Sequence, residues 1–353
     1  MSTVQERRLF EDGRFAFADS RARFVATAAR APVHATDDEF PLILNTGRVR
    51  DHWHTMTRTG KNPRLSQHLA EPFVEIHPTD AAHFGIGDAD IVRVWSPGGA
   101  ILVRALLSLR QARGSVFVPM HWTDQYASKA RVDVLIPGRT DPHSGQPASK
   151  HTAVQIERLP AALYGFAVLR ERPPHLEAEY WALAPCRTGW RVELAFASAD
   201  RDWSEFAGIL FGGRTETLTY EDRRAGRRRF ARFDGNRLVG ALYLAPEPVA
   251  VSRDWAIDQL GTELADPAAR AATIAGRPGH GLTDRGATVC SCFAVGVNQI
   301  SAAVAAGCAT VAAVGQHLRA GMNCGSCKAE IKGIIDAHHR DRDAKERLNA
   351  LAT

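Results

Sequence analysis

The sequence predicts an α+β multidomain chain: a small closed β-barrel, then a mixed α/β middle region, then a small helical domain. Three observations carry this. Between residues 41 and 158, short apolar runs alternate with tight Gly/Pro turns, the texture of a small barrel. Between 161 and 264, a hairpin signal lies among Pro-containing loops such as ERPPH and APEP. From 265 to 340 the chain becomes Ala- and Gly-rich and its apolar residues fall at helical spacing. A length of 353 residues suits two or three domains.

Composition narrows the function. No apolar run approaches the roughly 18 to 20 residues of a membrane helix. The N-terminus has paired arginines but no apolar stretch behind them, so no export signal is expected and the cytoplasm is the expected location. A net charge of +5 is modest. It would help docking to an acidic partner but does not argue for nucleic acid.

The elements follow in order. Residues 1–40 are polar, Ala/Arg-rich and aperiodic, and read as a lead-in segment. PLILNTG is a buried strand stopped by Gly47. The stretch RVRDHWHTMTRTGKNPRLSQHL is rich in donors, a long polar loop of the kind that carries ligand contacts. FVEIHP is a strand, and DAAHFGIGDAD a short helix. IVRVWSPGGAILVRALLSL is a hairpin around Pro97-Gly98-Gly99. GSVFVPMHW and HTAVQIERL are further strands, separated by the loop PGRTDPHSGQPASK. These elements make up a first domain over 41–160.

In the middle region, 161–264, RRRFARFDGNRLVGALYL reads as a hairpin turning at Asp234-Gly235-Asn236. Six arginines fall between 223 and 232. They make either a solvated face or a docking surface for an acidic electron donor. In the last domain, 265–340, Val297, Ile300 and Val304 line one helix ending at Gly307. Val311, Val314 and Leu318 line a second, stopped at Gly321. Ile331, Ile334 and Ile335 line a third, and 341–353 is a tail. No internal repeat is visible beyond this helix pairing.

Cysteines are uneven: six in all, none before residue 186. Cys290 and Cys292 form one close pair, Cys324 and Cys327 another, with 31 residues between. A secreted disulfide framework would be shorter and denser in cysteine. Two thiolate pairs suit a rhombic two-iron cluster, each short loop holding one iron, but four-cysteine zinc tolerates the same spacing. Small residues, among them Ser291, Gly296, Gly321, Gly325 and Ser326, let backbone N–H groups approach the sulfurs. Cys186 and Cys308 read as small core residues. In the first polar loop, His52 and His54 alternate with Trp53 and could point the same way, yet two histidines without a third ligand make a poor metal site.

Two resemblances sharpen this reading. VCSCFAVGVNQISAAVAAGCATVAAVGQHLRAGMNCGSCKAEIK resembles a bacterioferritin-associated-ferredoxin-like [2Fe–2S] domain. That resemblance implies a cluster on Cys290, Cys292, Cys324 and Cys327. NTGRVRDHWHTMTRTG, VEIHPTDAAHFGIGDADIVRVWSPGGAI, VFVPMHW and DPHSGQPASK resemble the C-terminal dinucleotide-binding domain of the molybdopterin oxidoreductase (dimethyl sulfoxide reductase) superfamily. It implies a double-psi β-barrel whose loops embrace molybdopterin guanine dinucleotide. Thr46, Gly47, Arg48, His54, Thr57, Gln146 and Lys150 match the binding motifs. Asp133 stands in a stretch where the family often has Asn, and an acid is unfavourable near phosphate. GNRLVGALYL is similar to a hairpin in the C-terminal domains of flavin-dependent disulfide-reductase-like enzymes, which implies packing or interface duty.

A barrel followed by a ferredoxin-like domain is the arrangement of bacterial assimilatory nitrate reductase catalytic subunits. The resemblance therefore implies reduction of nitrate to nitrite, with electrons from a ferredoxin, a flavodoxin or a nicotinamide-dependent reductase. Members of that family carry an iron–sulfur motif, and usually a molybdenum-binding cysteine, upstream of the barrel. The chain thus resembles the C-terminal part of a split or truncated subunit beginning at its own Met1, with the missing N-terminal portion as partner. No residue of the chain reads as a catalytic acid, base or nucleophile, and activity is not expected without that portion.

Overall fold

The barrel strands are β1 (Leu42–Gly47), β2 (Phe73–Ile76), β3 (Ile91–Ser96), β4 (Gly99–Leu107), β5 (Ser115–Pro119) and β6 (Thr152–Arg158), with helix α1 (Pro78–His83) between β2 and β3. The computed structural model describes residues 8–351 except 25, 27, 29, 30, 33, 143, 214–216 and 278–283, and side chains as far as residue 342. Parts of the expected lead-in and tail, and of the Gly-rich stretch before Cys290, therefore lie outside the described residues.

The six strands close in the order β1-β5-β2-β4-β3-β6. Pairs β1/β5 and β2/β4 are parallel, and the other four are antiparallel. Exchanging β1 with β4, β2 with β5 and β3 with β6 maps this pairing onto itself. Helix α1 corresponds to a 3-10 turn at Val132–Leu135 between β5 and β6. The barrel is thus two copies of one strand–strand–helix–strand plan, a repeat that the sequence does not display. Leu44, Val74, Ile76, Val92, Val94, Val103, Val116, Val118 and Val154 are buried in it, as inward-facing barrel positions require. Local chemistry starts α1: Pro78 sits at its first position, and His77 Nδ1 accepts the Thr79 N–H at 3.1 Å.

The middle region is a six-stranded antiparallel sheet: β7 (Leu163–Leu169), β8 (Tyr180–Cys186), β9 (Gly189–Phe196), β10 (Thr217–Asp222), β11 (Arg227–Asp234) and β12 (Arg237–Ala245), ordered β10-β11-β12-β7-β9-β8. Helices α2 (Trp203–Leu210), α3 (Arg253–Gln259) and α4 (Pro267–Ala275) flank it. Central strand β7 is buried at every residue. Its Tyr164, Phe166 and Val168 belong to one core and Leu163, Ala167 and Leu169 to another, the alternation of a strand covered on both faces. The first core runs without a break from the barrel into the sheet, whereas the second lies under α2. The expected hairpin forms between β11 and β12, with Asp234 opposite Arg237.

The arginine run is mostly engaged internally. Arg223 and Arg228 pair with Glu221, and Arg227 pairs with Glu247. Arg229 donates to the carbonyls of Ile274 and Ala275, and Arg232 to that of Phe211. With most of these guanidinium groups already held by side chains and carbonyls of this chain, the solvated-face reading fits these strands better than a free docking face.

The last lobe has its own core, built from Val289, Val295, Ile300, Val304, Val314, Ile331 and Ile335. A two-stranded ribbon, β13 (Thr288–Cys290) with β14 (Val295–Gly296), precedes α5 (Val297–Ala305), α6 (Val311–Leu318) and α7 (Lys328–Leu351). All three expected apolar faces are present. Two expectations are corrected. Helix α6 ends at Leu318 with Arg319 as its left-handed cap (φ 63°), two residues before the expected stop at Gly321, which is itself left-handed (φ 81°). Helix α7 continues through the expected tail to Leu351. Cys186 is buried in the first core and Cys308 packs against the third. Among the described residues, no helix is long and apolar enough to cross a membrane.

Candidate functional site

The site has two halves, a pair of loops on the barrel and two pairs of thiols in the last lobe.

Strand β1 delivers the first loop. Thr46 N–H and Oγ1 both donate to the Ser149 carbonyl, at 3.2 and 2.7 Å, and Lys150 Nζ donates to the Thr46 carbonyl. The loop after β1 and the SGQP loop are therefore tied to each other at Thr46 and Lys150. Gly47 is required here by close approach: a Cβ would stand 2.7 Å from the Phe117 ring. Beyond it, the Arg48 guanidinium lies 4.1 Å from the centroid of Trp53. His54 stacks edge-on against the same indole. Arg48, His54 and Thr57 are exposed. Gln146 is also exposed, on a turn closed by Asp141 N–H donating to its carbonyl at 2.8 Å. Its side chain makes no hydrogen bond to the first loop among the described residues. Asp133 is exposed on the 3-10 turn.

The chain does not run as a strand here: His54 and Met56 have φ of 43° and 59°. His52 therefore turns inward and His54 outward, and the two histidines do not share a face. What holds this unusual loop is a residue that sequence reading missed. His121 is fully buried just after β5. Its Nε2 accepts the Val49 N–H at 2.9 Å, and its Nδ1 donates to the His54 carbonyl at 2.6 Å. The signal was a histidine in VFVPMHW, at the end of the strand that pairs with β1.

In the last lobe, Cys290 and Cys327 are buried, Cys292 is partly exposed and Cys324 is exposed. The thiols pair across the two motifs rather than within each: Cys292 Sγ lies 3.4 Å from Cys324 Sγ, and Cys290 faces Cys327. Asn323 Nδ2 donates to Cys292 Sγ at 3.4 Å, and Ser326 Oγ lies 3.2 Å from Cys324 Sγ. Gly325, with φ of 74°, supplies the left-handed step between the exposed Cys324 and the buried Cys327. Burial, and then the neighbouring Cys290, push the Cys327 thiol up to about 11, while the Ser326 hydroxyl holds Cys324 below the ordinary thiol range. Among the described residues, no three His, Cys, Asp or Glu side chains converge on one point. Two separate thiol pairs with polar donors fit a binuclear group taking two thiolates per iron better than a single tetrahedral ion.

An ionic cluster joins the halves. Arg50, from the first loop, donates through Nη2 to the Val289 carbonyl at 2.5 Å, lies 3.0 Å from Glu330 on α7 and 3.1 Å from Asp51. His68 bridges the same two carboxylates, with Nδ1 2.8 Å from Asp51 and Nε2 3.1 Å from Glu330. Burial opposes a charge on His68, but the bonds to Asp51 and then Glu330 outweigh it and raise its pKa. Burial likewise works against an ionised Asp51, and His68 and Arg50 overcome it.

Comparison with known proteins assigns both halves. Residues 42–153 match the molydopterin dinucleotide binding domain, and residues 288–337 match the BFD-like [2Fe–2S] binding domain. A nitrate reductase of Klebsiella oxytoca is 38% identical over 328 residues, covering 90% of this chain and 36% of that protein. The assimilatory nitrate reductase catalytic subunit of Bacillus subtilis is 38% identical over 151 residues, 42% of this chain and 21% of that protein. The F420-dependent formate dehydrogenase 1 subunit alpha of Methanococcus maripaludis is 33% identical over 128 residues, 36% of this chain and 18% of that protein. The chain thus spans little more than a third, at most, of the length of these relatives.

Proposed function

We propose that this chain, which carries a molydopterin dinucleotide binding domain and a BFD-like [2Fe–2S] domain, serves as the C-terminal part of a molybdenum-dependent nitrate reductase. One observation carries the choice of nitrate. The Klebsiella nitrate reductase aligns over 90% of the chain, whereas the formate dehydrogenase relative aligns over 36%. The barrel is of the double-psi kind, a reading supported by its two parallel pairs and self-mapping pairing.

In this reading the two tied loops hold the guanine dinucleotide of the molybdopterin through Thr46, Gly47, Arg48, His54, Thr57, Gln146 and Lys150. Arg48 and Lys150 offer positive charge to a diphosphate, and Gly47 lets the backbone come close. Cys290, Cys292, Cys324 and Cys327 hold the [2Fe–2S] cluster. When bound, the molybdenum centre supplies the oxygen-atom chemistry: nitrate, two electrons and two protons give nitrite and water. The chain's own residues bind and orient the groups, and none is offered as a catalytic acid or base. The centre is completed by an upstream portion, and the cluster takes electrons from a ferredoxin, a flavodoxin or a nicotinamide-dependent reductase. Two close metal-type cysteine pairs, in place of a disulfide framework, support a cytoplasmic location.

The test is the metal and pterin content of the anaerobically purified chain, with visible and low-temperature spin-resonance spectra. About two irons and two sulfides per chain, with a reducible signal, are expected. Zinc without visible colour would overturn the electron-transfer reading. Restored nitrate-dependent oxidation of a reduced dye on adding the upstream portion is the corresponding test of substrate. Formate oxidation in its place would sink the nitrate assignment.

A further inference from the structure

The Arg50–Asp51–His68–Glu330 cluster is not used by either cofactor-binding half, yet it joins them. Three of its members stand on the barrel loop that follows β1, and one stands on α7. Arg50 is the member that reaches furthest. Its side chain is 18% exposed, and it grips the last lobe at two points, the Val289 carbonyl and the Glu330 carboxylate. Val289 precedes Cys290, and Glu330 lies one helical turn after Cys327. Both grips therefore fall on the buried Cys290–Cys327 side, while the Cys292–Cys324 side faces solvent.

We propose that Arg50 is a positioning residue for the [2Fe–2S] cluster: it fixes the buried, barrel-facing side of the cluster lobe against the dinucleotide-binding loop and raises the reduction potential of the cluster. The inference rests on the cluster reading of the four cysteines. Reduction adds one electron, taken from a one-electron reductant, and the four-thiolate group becomes more negative by one charge. No proton or bond change accompanies it. A guanidinium held close on the buried side, where water screens little, stabilises that added charge. Its two grips, to a carbonyl and a carboxylate, use the planar fork in a way a lysine ammonium cannot reproduce. Glu330 acts with the opposite sign. Its carboxylate partly cancels Arg50 and is itself balanced by His68, so the potential reflects the whole cluster of charges and not Arg50 alone.

The experiment is a spectroscopically monitored redox titration, with a dithionite-reduced mediator mixture, of the full chain carrying its cluster. Wild type is compared with Arg50→Gln, Arg50→Lys and Glu330→Gln. Arg50→Gln is expected to disfavour reduction about tenfold, a fall of about 59 mV for one electron. Arg50→Lys, which keeps the charge but loses the fork, should recover most of that fall. Glu330→Gln should move the potential upward. Iron content and thermal melting accompany each sample, so that loss of the lobe's fold is recognised. If Arg50→Gln loses its cluster, Arg50→Lys decides the point: a small fall in potential supports the proposal, and a potential equal to wild type overturns it. Unchanged potentials in variants that retain their iron would overturn the proposal and leave the cluster reading intact. A wild-type chain that takes up no iron would overturn the cluster reading itself, and the two failures are thereby told apart.

Discussion

His121 donates through Nδ1 to the carbonyl of His54 at 2.6 Å, and its other ring nitrogen accepts the Val49 N–H at 2.9 Å. One buried imidazole thus bridges Val49 and His54, in the first part of the loop that follows β1. The acceptor role fixes the neutral tautomer with its proton on Nδ1. His121→Ala would leave both backbone groups without their partner, a cost of about 1–3 kcal/mol for each that stays buried. Lower thermal stability is expected, together with faster amide exchange across 48–57 and weaker retention of the pterin dinucleotide.

Two histidines give opposite pH slopes. Burial lowers the pKa of His121, against the pull of the His54 carbonyl, so its clamp is complete above the unfolded value of 6.5 and is lost as pH falls through the folded value. The raised pKa of His68 has the reverse consequence. Its bridge between Asp51 and Glu330 is complete below 6.5 and is lost as pH rises through its folded value. The melting difference between wild type and His121→Ala should shrink toward acid. That between wild type and His68→Gln, about 1.5–3 kcal/mol at its largest for charged hydrogen bonds, should shrink toward alkali. Parallel slopes in the two variants would contradict these charge states.

Glu193 on β9 is buried between the sheet and the barrel. It accepts from Arg253 at 3.0 and 2.9 Å and from Arg191 at 2.9 Å, with Arg104 of β4 at 3.8 Å. Burial raises its pKa, and Arg253 and then Arg191 more than reverse that, holding it at about 2. Its stabilisation is therefore full above pH 4.5 and lost as pH falls toward 2. Glu193→Ala strands buried guanidinium charge and should cost about 3–5 kcal/mol, read as a lower midpoint in urea. Replacement of an exposed carboxylate such as Glu157 should leave that midpoint nearly unchanged.

Short-range chemistry was legible in the sequence. Pro97-Gly98 announces the β3–β4 hairpin, Asp234-Gly235-Asn236 the β11–β12 hairpin, and the valine and isoleucine spacing marks the faces of α5, α6 and α7. The arrangement that matters for the site was less so, because it comes from pairs far apart in the chain. The barrel's internal symmetry survives in strand pairing, where any alternating apolar strand will serve, and leaves no residue repeat. Thr46 and Lys150 are separated by 104 residues and Arg50 and Glu330 by 280, so no local pattern announces either contact. His121 looked like one histidine in an apolar strand end, and its partners are backbone atoms, which carry no sequence signal. Arg319 was hidden because a glycine two residues later offered the easier helix stop.

Gly47 offers a test of the loop geometry itself. A methyl group there would meet the Phe117 ring, 2.7 Å from its nearest carbon. Gly47→Ala must therefore move the ring or the strand end, at a cost of about 1–3 kcal/mol for overpacking. Dinucleotide retention should fall with it, and a second change of Phe117 to Leu should recover part of both losses. Stability that recovers without retention would mean that backbone approach at Gly47, and not ring packing, serves the ligand.

The cysteines differ in what each is expected to do beyond binding. Cys290 and Cys327 are buried among Val289, Val295, Ile300 and Ile331, so removing either thiolate also opens the small core beneath it. Cys324 stands at the surface, and its loss leaves that core intact, whereas Cys292 is partly buried against the edge of the core. Cys290→Ala and Cys327→Ala should therefore lose iron and also melt early when already metal-free. Cys324→Ala should lose iron while the metal-free lobe melts like the metal-free wild type, and Cys292→Ala should lose iron with an intermediate loss of melting temperature. Cys308→Ala, packed against the same core but outside both thiol pairs, should keep its iron and visible absorption. If Cys308→Ala lost iron as readily as Cys324→Ala, the four-thiolate assignment would have to be redrawn to include it.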